Sequence, residues 1–359
     1  MNFQTVDRLM RTAVGQGDFP GAVLLVSREG AVVFERAYGA ADLFSRSPMT
    51  VETCFDLASL TKPLATAVAA MFLVQSARLD LDRPCGQYDP ALIATDKADL
   101  TPRQLLRHSA GLPAYRPYFM RLRQIPPAER AGALMRRLIE EPLRSKPGAC
   151  VEYSDLGFLL LQRLIESITD QRLDHFLHRI YRSLGIDRLF FSGGMHHSEK
   201  IHFAATELCP LRGRLLRGEV HDDNAHAIGG VAGHAGLFGT ARAVHSLLQL
   251  LLNCDLGAKA GGGLDPVIVR HFFEHGKDTN WALGFDTPAV EGSSAGRLFG
   301  RRSVGHLGFT GTSFWVDRDR AVIVILLTNR VHPSRYNLKI RAFRPLLHDA
   351  VLTALRPPD

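Results

Sequence analysis

Phe55-Asp56-Leu57-Ala58-Ser59-Leu60-Thr61-Lys62 opens the most apolar helical stretch of this 359-residue chain, and it decides the fold. Ser59 and Lys62 are three residues apart, so on a helix they share a face and the lysine nitrogen reaches the serine hydroxyl. A serine hydroxyl is a poor nucleophile until a neighbouring base takes its proton. The start of a helix adds free N–H groups and a positive dipole end, which favour developing negative charge. Pro63 is tolerated only near a first turn, which places the start of the helix here and its body over about 59–77. By itself the pair reads equally as a capping serine beside a solvated lysine, so its company decides.

Upstream of the helix, an amphipathic pattern over the first fifteen or so residues precedes two β-branched runs, 21–27 and 31–38. They are joined by Arg28-Glu29-Gly30 and read as a hairpin. Downstream, helical patterns at 102–108, 127–140, 155–168, 171–183 and 241–253 fill the middle, with Thr101-Pro102 and Thr240 as start signals. The end returns to strands, 312–316 and 321–328, around Asp317-Arg318-Asp319-Arg320, then a last helix over about 337–355. The expected fold is α+β: one antiparallel sheet built from both chain ends, flanked by helices, with an inserted, mainly helical lobe. It is read as one catalytic domain over 1–359, with an α/β lobe of about 1–58 and 260–359 and a helical lobe of about 59–259. A cleft is expected where sheet and helices meet.

Two further segments supply chemistry. Tyr153-Ser154-Asp155 lies in a loop before an apolar helix. A tyrosine with its ordinary pKa near 10 becomes a base only when a cation such as Lys62 stabilises its phenolate. The plainer reading is a helix cap with Tyr153 as packing. His306-Leu307-Gly308-Phe309-Thr310-Gly311-Thr312 runs straight into a strand, where a substrate backbone can lie alongside and an N–H can face an oxyanion. A competing His234-Ala235-Gly236 is expected to lead into a helix, and ranks second.

With these residues in order, 91 positions from Lys62 to Tyr153 and 153 more to His306, the chain resembles the serine β-lactamase and penicillin-binding-protein superfamily, nearest its class C-like serine hydrolases. The likeness spans about residues 5–355. Leu105-Leu106-Arg107-His108-Ser109-Ala110-Gly111-Leu112-Pro113 and Gly229–Phe238 are similar to recurring segments of that branch. The resemblance implies acylation of Ser59, activation by Lys62 and Tyr153, and an oxyanion held by the backbone N–H groups of Ser59 and Phe309, with His306, Gly308 and Asp155 in support. Tyr153-Ser154-Asp155 departs from the family's Y-x-N by its Asp, which should hold Lys62 protonated and shift base duty toward Tyr153. His306 departs from the lysine of many β-lactamases and removes a permanent cation, unless Arg330 or Arg335 replaces it. Both departures favour an ester or amide over a β-lactam. The expected activity is esterase-like. The alternatives are an amidase or peptidase on muropeptide-like fragments, a weak β-lactamase, or a penicillin-binding protein without turnover.

His221-Asp222-Asp223-Asn224-Ala225-His226 looks at first like a metal cluster, but its spacing is not a zinc motif. His221, Asn224, His234 and Arg330 are instead read as candidate substrate contacts, and no metal or cofactor is expected. His196-His197 and Cys150 are read as incidental.

The charge balance, 43 Lys+Arg against 36 Asp+Glu, gives +7, yet no nucleic-acid-binding pattern accompanies it, so nucleic acid is not an expected partner. Only seven cations are lysine, which makes Lys62 a position where arginine, unable to deprotonate, would not serve as a base. Unbroken apolar runs such as 67–74 and 321–327 fall short of the ~18–20 residues a membrane helix needs. Five scattered cysteines without C-x-x-C, and no basic-then-apolar leader, lead to an expected cytoplasmic location, with the periplasm as alternative. The expected partner is a small-molecule, short peptide or glycopeptide substrate. Oligomeric state is left open.

Overall fold

Both ends of the chain enter one sheet in the computed structural model, which describes residues 1–192, 201–258, 263–276, 279 and 281–356. His196 and His197 lie outside the described residues. In chain order, α1 (Gln4–Gly15) precedes the hairpin β1 (Gly21–Arg28) and β2 (Ala31–Asp42), then the short β3 (Ser47–Pro48) and β4 (Phe55–Asp56). The middle carries α2 (Val68–Gln75), α3 (Pro102–Leu106), α4 (Phe119–Leu122), α5 (Arg130–Glu140), α6 (Asp155–Thr169) and α7 (Leu173–Ser183). Next come β5 (Leu189–Phe191), β6 (Ala205–Cys209), β7 (Arg214–Arg217) and α8 (Asp223–Ala227). β8 (Leu237–Gly239) leads into α9 (Ala241–Asp255) and α10 (Pro266–Phe273). β9 (Val304–Leu307), β10 (Ser313–Asp317), β11 (Val322–Thr328) and α11 (Ile340–Ala354) complete the order.

The main sheet has the order β3-β2-β1-β11-β10-β9. Its seam is the antiparallel pairing of β1 with β11, from Ala22 opposite Thr328 to Arg28 opposite Val322. Alternation along these strands sends their side chains to opposite faces. Ala22, Leu24, Val26, Trp315, Val324 and Leu326 pack with α1 and α11 in one core cluster. Val23, Leu25, Phe314, Ile323, Ile325 and Leu327 point the other way, into the larger core shared with the helical region. The fold is therefore the expected antiparallel sheet flanked by helices, with both faces covered. Helix α9, which the sequence reading counts with the helical lobe, packs against β11 and β1, so it covers the sheet.

The nucleophile helix begins less regularly than its pattern predicts. A short turn at Ala58–Leu60 is followed by a widened π-type turn at Lys62–Ala67 before regular α2. Pro63 has no N–H to give to the α ladder, which accounts for a widened turn at this point. Ala58–Gln75 is long and apolar enough by composition to cross a membrane, but 78% of it is buried in the interior, the mark of a core helix. One motif reading changes: His234-Ala235-Gly236 runs directly into β8, not a helix, and β8 pairs with β4 beside the nucleophile. Three residues are too few for a strand pattern to outweigh the strong helical pattern of α9 behind them.

Candidate active site

Ser59 sits at a strained bend. Ala58, just before it, adopts a φ of 49°, a left-handed conformation costly for a residue with a side chain. Three contacts hold the bend. The Ala58 N–H donates to Asp56 Oδ1 at 2.8 Å, Thr310 Oγ1 donates to the Asp56 carbonyl at 2.8 Å, and Thr312 Oγ1 donates to the Leu57 carbonyl at 3.0 Å. The segment following β9 is thus tied to the nucleophile by two threonine hydroxyls. Gly308 is required there, because a Cβ would lie 2.7 Å from the Leu57 carbonyl oxygen and collide with Thr312.

Lys62 is completely buried and gathers the candidate catalytic groups around its ammonium. It donates to Ser59 Oγ at 3.0 Å, Tyr153 OH at 2.7 Å and Asp155 Oδ1 at 2.7 Å, with the His234 carbonyl at 3.4 Å. Burial pulls the lysine pKa down, but Asp155 and then Tyr153 outweigh it, and the net direction is up. Tyr153 is also raised. Burial of its hydroxyl end disfavours the phenolate more than Lys62 favours it, although the ring keeps 36% of its surface exposed. At rest Lys62 is therefore an ammonium and Tyr153 a phenol.

The local structure that aims these groups is a helix cap. Ser154 accepts from the Gly157 N–H at 3.2 Å and donates to the Pro113 carbonyl at 2.7 Å. Capping by Ser154 leaves Tyr153 and Asp155 on either side of it free to face Lys62. The capping reading holds for Ser154, while Tyr153 and Asp155 both contact Lys62.

His306 is buried, and its Nδ1 lies 2.8 Å from the Leu307 carbonyl, so Nδ1 carries the proton. Its Nε2 has no hydrogen-bond partner among the described residues. Burial and then Lys62 push it down to about 3, so it is neutral at pH 7. His108, Trp281 and Tyr153 pack beside it, with ring centroids 4.5 Å apart for His108 and Trp281 and 5.7 Å for Trp281 and His306. The motif reading did not single out Trp281, and it treated His108 only as part of a structural segment. A lone aromatic in a sequence signals core, not cleft.

Two arms of one cleft meet at Ser59, Tyr153 and Phe309. The first, about 510 Å³, is lined by His306, Gly308, Trp281, Arg330, Arg341 and Arg344 among others. Arg330, an expected substrate contact, lines this arm but is largely engaged by backbone. Its Nε and Nη1 donate to the carbonyls of Phe309, Arg335 and Asn337, and its guanidinium stacks on the Phe309 ring at 4.6 Å. Arg341 and Arg344, both from α11, were missed by the motif reading because they belong to no motif.

The second arm, about 410 Å³, is lined by Asp155, His221, Asp222, Asp223, His234 and Arg335 among others. His221 Nε2 lies 3.1 Å from Glu207, His234 Nε2 lies 3.0 Å from Asp222, and Arg335 pairs with Glu207 at 2.6 Å. Burial works to raise Glu207, but His221 and Arg335 hold it down at about 2. Asn224 is not a cleft residue. Fully buried, it accepts from the Phe119 N–H and donates to the Arg116 carbonyl, a cross-link between loops. Asp155, Asp222 and His234 bring potential metal-ligand atoms within 4.8 Å of one another, but the Lys62 ammonium already sits on Asp155.

Comparison with known proteins agrees with this geometry. The Beta-lactamase family matches residues 6–347. A protein of Escherichia coli K12 named "Putative D-alanyl-D-alanine carboxypeptidase" is 30% identical, over 91% of this chain and 82% of its own. Its namesake in Salmonella enteritidis PT4 is also 30% identical, over 90% and 81%. Two solved structures share the fold. EstCE1, described as a hydrolase with promiscuous acyltransferase activity, has a TM-score of 0.73 at 24% identity, covering 95% of this chain and 97% of its own. A penicillin-binding protein homologue from Pyrococcus abyssi has a TM-score of 0.74 at 20% identity, covering 99% and 77%. The chain belongs to the beta-lactamase family, as a class C-like serine hydrolase of the penicillin-binding-protein superfamily.

Proposed function

We propose that this hydrolase cleaves an amide bond in a short peptide-like substrate that ends in a free carboxylate, through an acyl-enzyme on Ser59. One observation carries the reading. Arg330, Arg341 and Arg344 line the same arm of the cleft, and among the described residues none of them is ion-paired with a carboxylate. Burial, then repulsion from Arg341, pulls Arg330 down to about 10; burial, then Arg330 and Arg341, pulls Arg344 down to about 9. Arg330 and Arg344 therefore stay charged at neutral pH, and a ligand carboxylate relieves the repulsion in this arm. The sequence reading preferred an ester because His306 removes a cation; these arginines supply the charge from another element. The relatives named as carboxypeptidases support the same choice.

The chemistry is two-step acyl transfer. Tyr153, as its Lys62-stabilised phenolate, takes the Ser59 proton as Oγ bonds to the carbonyl carbon. The oxyanion rests on the N–H groups of Ser59 and Phe309; the latter has no acceptor among the described residues. Tyr153 then gives its proton to the leaving nitrogen as the C–N bond breaks. Water attacks the acyl carbon, its proton passes to Tyr153, and from there to Ser59 Oγ as the C–O bond breaks. The products are a carboxylate and a free amine. Because Tyr153 rests as a phenol, activity rises with pH on the acid side of the optimum.

A second reading, ester hydrolysis, draws on the apolar rim formed by the exposed Phe309, Tyr115 and Leu338. Turnover of N-acetyl-D-alanyl-D-alanine, its C-terminal amide and p-nitrophenyl acetate decides between them. The carboxylate dipeptide should exceed its amide in kcat/KM by about tenfold or more. Equal rates on those two, with faster ester turnover, leave the ester reading. A fluorophosphonate probe should mark Ser59 and spare Ser59→Ala. A stable adduct with no turnover of any substrate makes the protein a binder.

A further inference from the structure

We propose that Arg344 is a positioning residue that strengthens the oxyanion hole electrostatically through one peptide group, the amide joining Gly308 to Phe309. The inference rests on the reading above that the Phe309 N–H meets the oxyanion.

Arg344 is 6% exposed and reaches from α11 beneath the turn that follows β9. Its Nη2 donates to the Thr312 carbonyl at 2.8 Å and to the Gly308 carbonyl at 3.2 Å. The Gly308 carbonyl and the Phe309 N–H are the two ends of one planar amide. In a trans peptide they point in opposite directions, so a cation on the oxygen lies behind the group while the N–H faces forward. Withdrawing electron density at the oxygen leaves the N–H more positive and a stronger donor, as in any hydrogen-bonded chain of amides. Arg330 fixes the next peptide from its own side, through the Phe309 carbonyl at 2.8 Å.

The way this protein buries another arginine sharpens the point. Arg318 is also 6% exposed, and it is held bidentate by Asp255, with Nε 2.8 Å from Oδ2. Among the described residues Arg344 has no ion pair, and its buried Nε has no hydrogen-bond partner. An uncompensated buried cation is destabilising, and a neutral donor would hold two carbonyls as well. The charge itself is what the site uses. Burial pulls Arg344 down only to about 9, so the charge is present at neutral pH.

The test uses p-nitrophenyl acetate, a neutral substrate indifferent to the carboxylate-binding arm. Steady-state kinetics are combined with the infrared carbonyl band of the isotope-edited acetyl-enzyme. Arg344→Gln should lower kcat 10- to 100-fold, leave KM within threefold, and move the acyl carbonyl band to higher wavenumber. Arg344→Lys should recover kcat to within fivefold of wild type. Should the glutamine variant fail to fold, the neutral isostere citrulline at position 344, introduced by ligating a synthetic C-terminal peptide, keeps the shape and the hydrogen bonds while removing the charge. It should show the same kcat loss and band shift. An unshifted band with kcat within twofold of wild type, in either neutral variant, overturns the proposal. A loss confined to KM for carboxylate substrates overturns it while leaving the function proposed above intact. Equal turnover of the carboxylate dipeptide and its amide by wild type would instead sink that function and leave Arg344's effect on the ester to be judged alone.

Discussion

On the His306 side of Ser59, three arginines line the cleft without a carboxylate partner among the described residues; on the Asp222 side, acidic side chains are already paired with basic ones. There Glu207 carries His221 and Arg335, Asp222 carries His234, and Asp155 carries Lys62. The difference separates two uses of charge. Paired, desolvated groups hold a wall rigid whether or not substrate is bound. Unpaired cations cost stability in the empty enzyme and recover it when an anion arrives. On the proposed function, specificity for charge falls to one arm and shape to the other.

The largest effect should appear where the arms meet. Tyr153→Phe removes the proposed acid-base group and should lower kcat by about 10³-fold, within the range for a positioned proton carrier. Activity within tenfold of wild type would transfer base duty to Lys62. In the unpaired arm, Arg341→Gln should raise KM for the carboxylate dipeptide about tenfold and leave the C-terminal amide unchanged, a cost of about 1.4 kcal/mol. Equal effects on both substrates would erase the distinction between the arms.

The paired arm should respond in stability instead. Glu207→Gln should cost about 1–3 kcal/mol in urea unfolding, with kcat/KM little changed. Glu207 is depressed to about 2 from 4.5, so its contribution is present above 4.5 and is lost as pH falls toward 2. The acid limb of the stability profile should flatten in that window in the variant. A variant that loses activity but no stability would place Glu207 in substrate binding.

Asp155→Asn gives the smallest shift. With the carboxylate gone, burial dominates Lys62 and lowers its pKa, so the ammonium that stabilises the Tyr153 phenolate is lost earlier. The alkaline fall in activity should begin at lower pH, by about one unit. An unmoved limb would mean that Asp155 does not set the charge of Lys62.

Much of this was legible in the chain. The β1–β2 hairpin, the β10–β11 pair and the capped helices α3, α6 and α9 are local patterns, written in alternation and in Thr101, Ser154 and Thr240. Ser59, Lys62, Tyr153, Asp155 and His306 were found by residue type and order, and the fold brings them to one cleft. What local pattern misjudged was β8, too short to carry a period of its own, and Asn224, polar in sequence but consumed by two backbone partners.

The sequence by itself determined which groups are available for chemistry, because a serine and a lysine at helical spacing and a helix cap are specified by neighbours within a few residues. Tertiary structure decided what each charge does. Whether an arginine is paired, stacked or left open depends on residues far along the chain: Arg344 on Gly308, Arg318 on Asp255, Arg335 on Glu207. Electrostatic energy depends on distance and burial in space, and neither is carried by the order of residues alone.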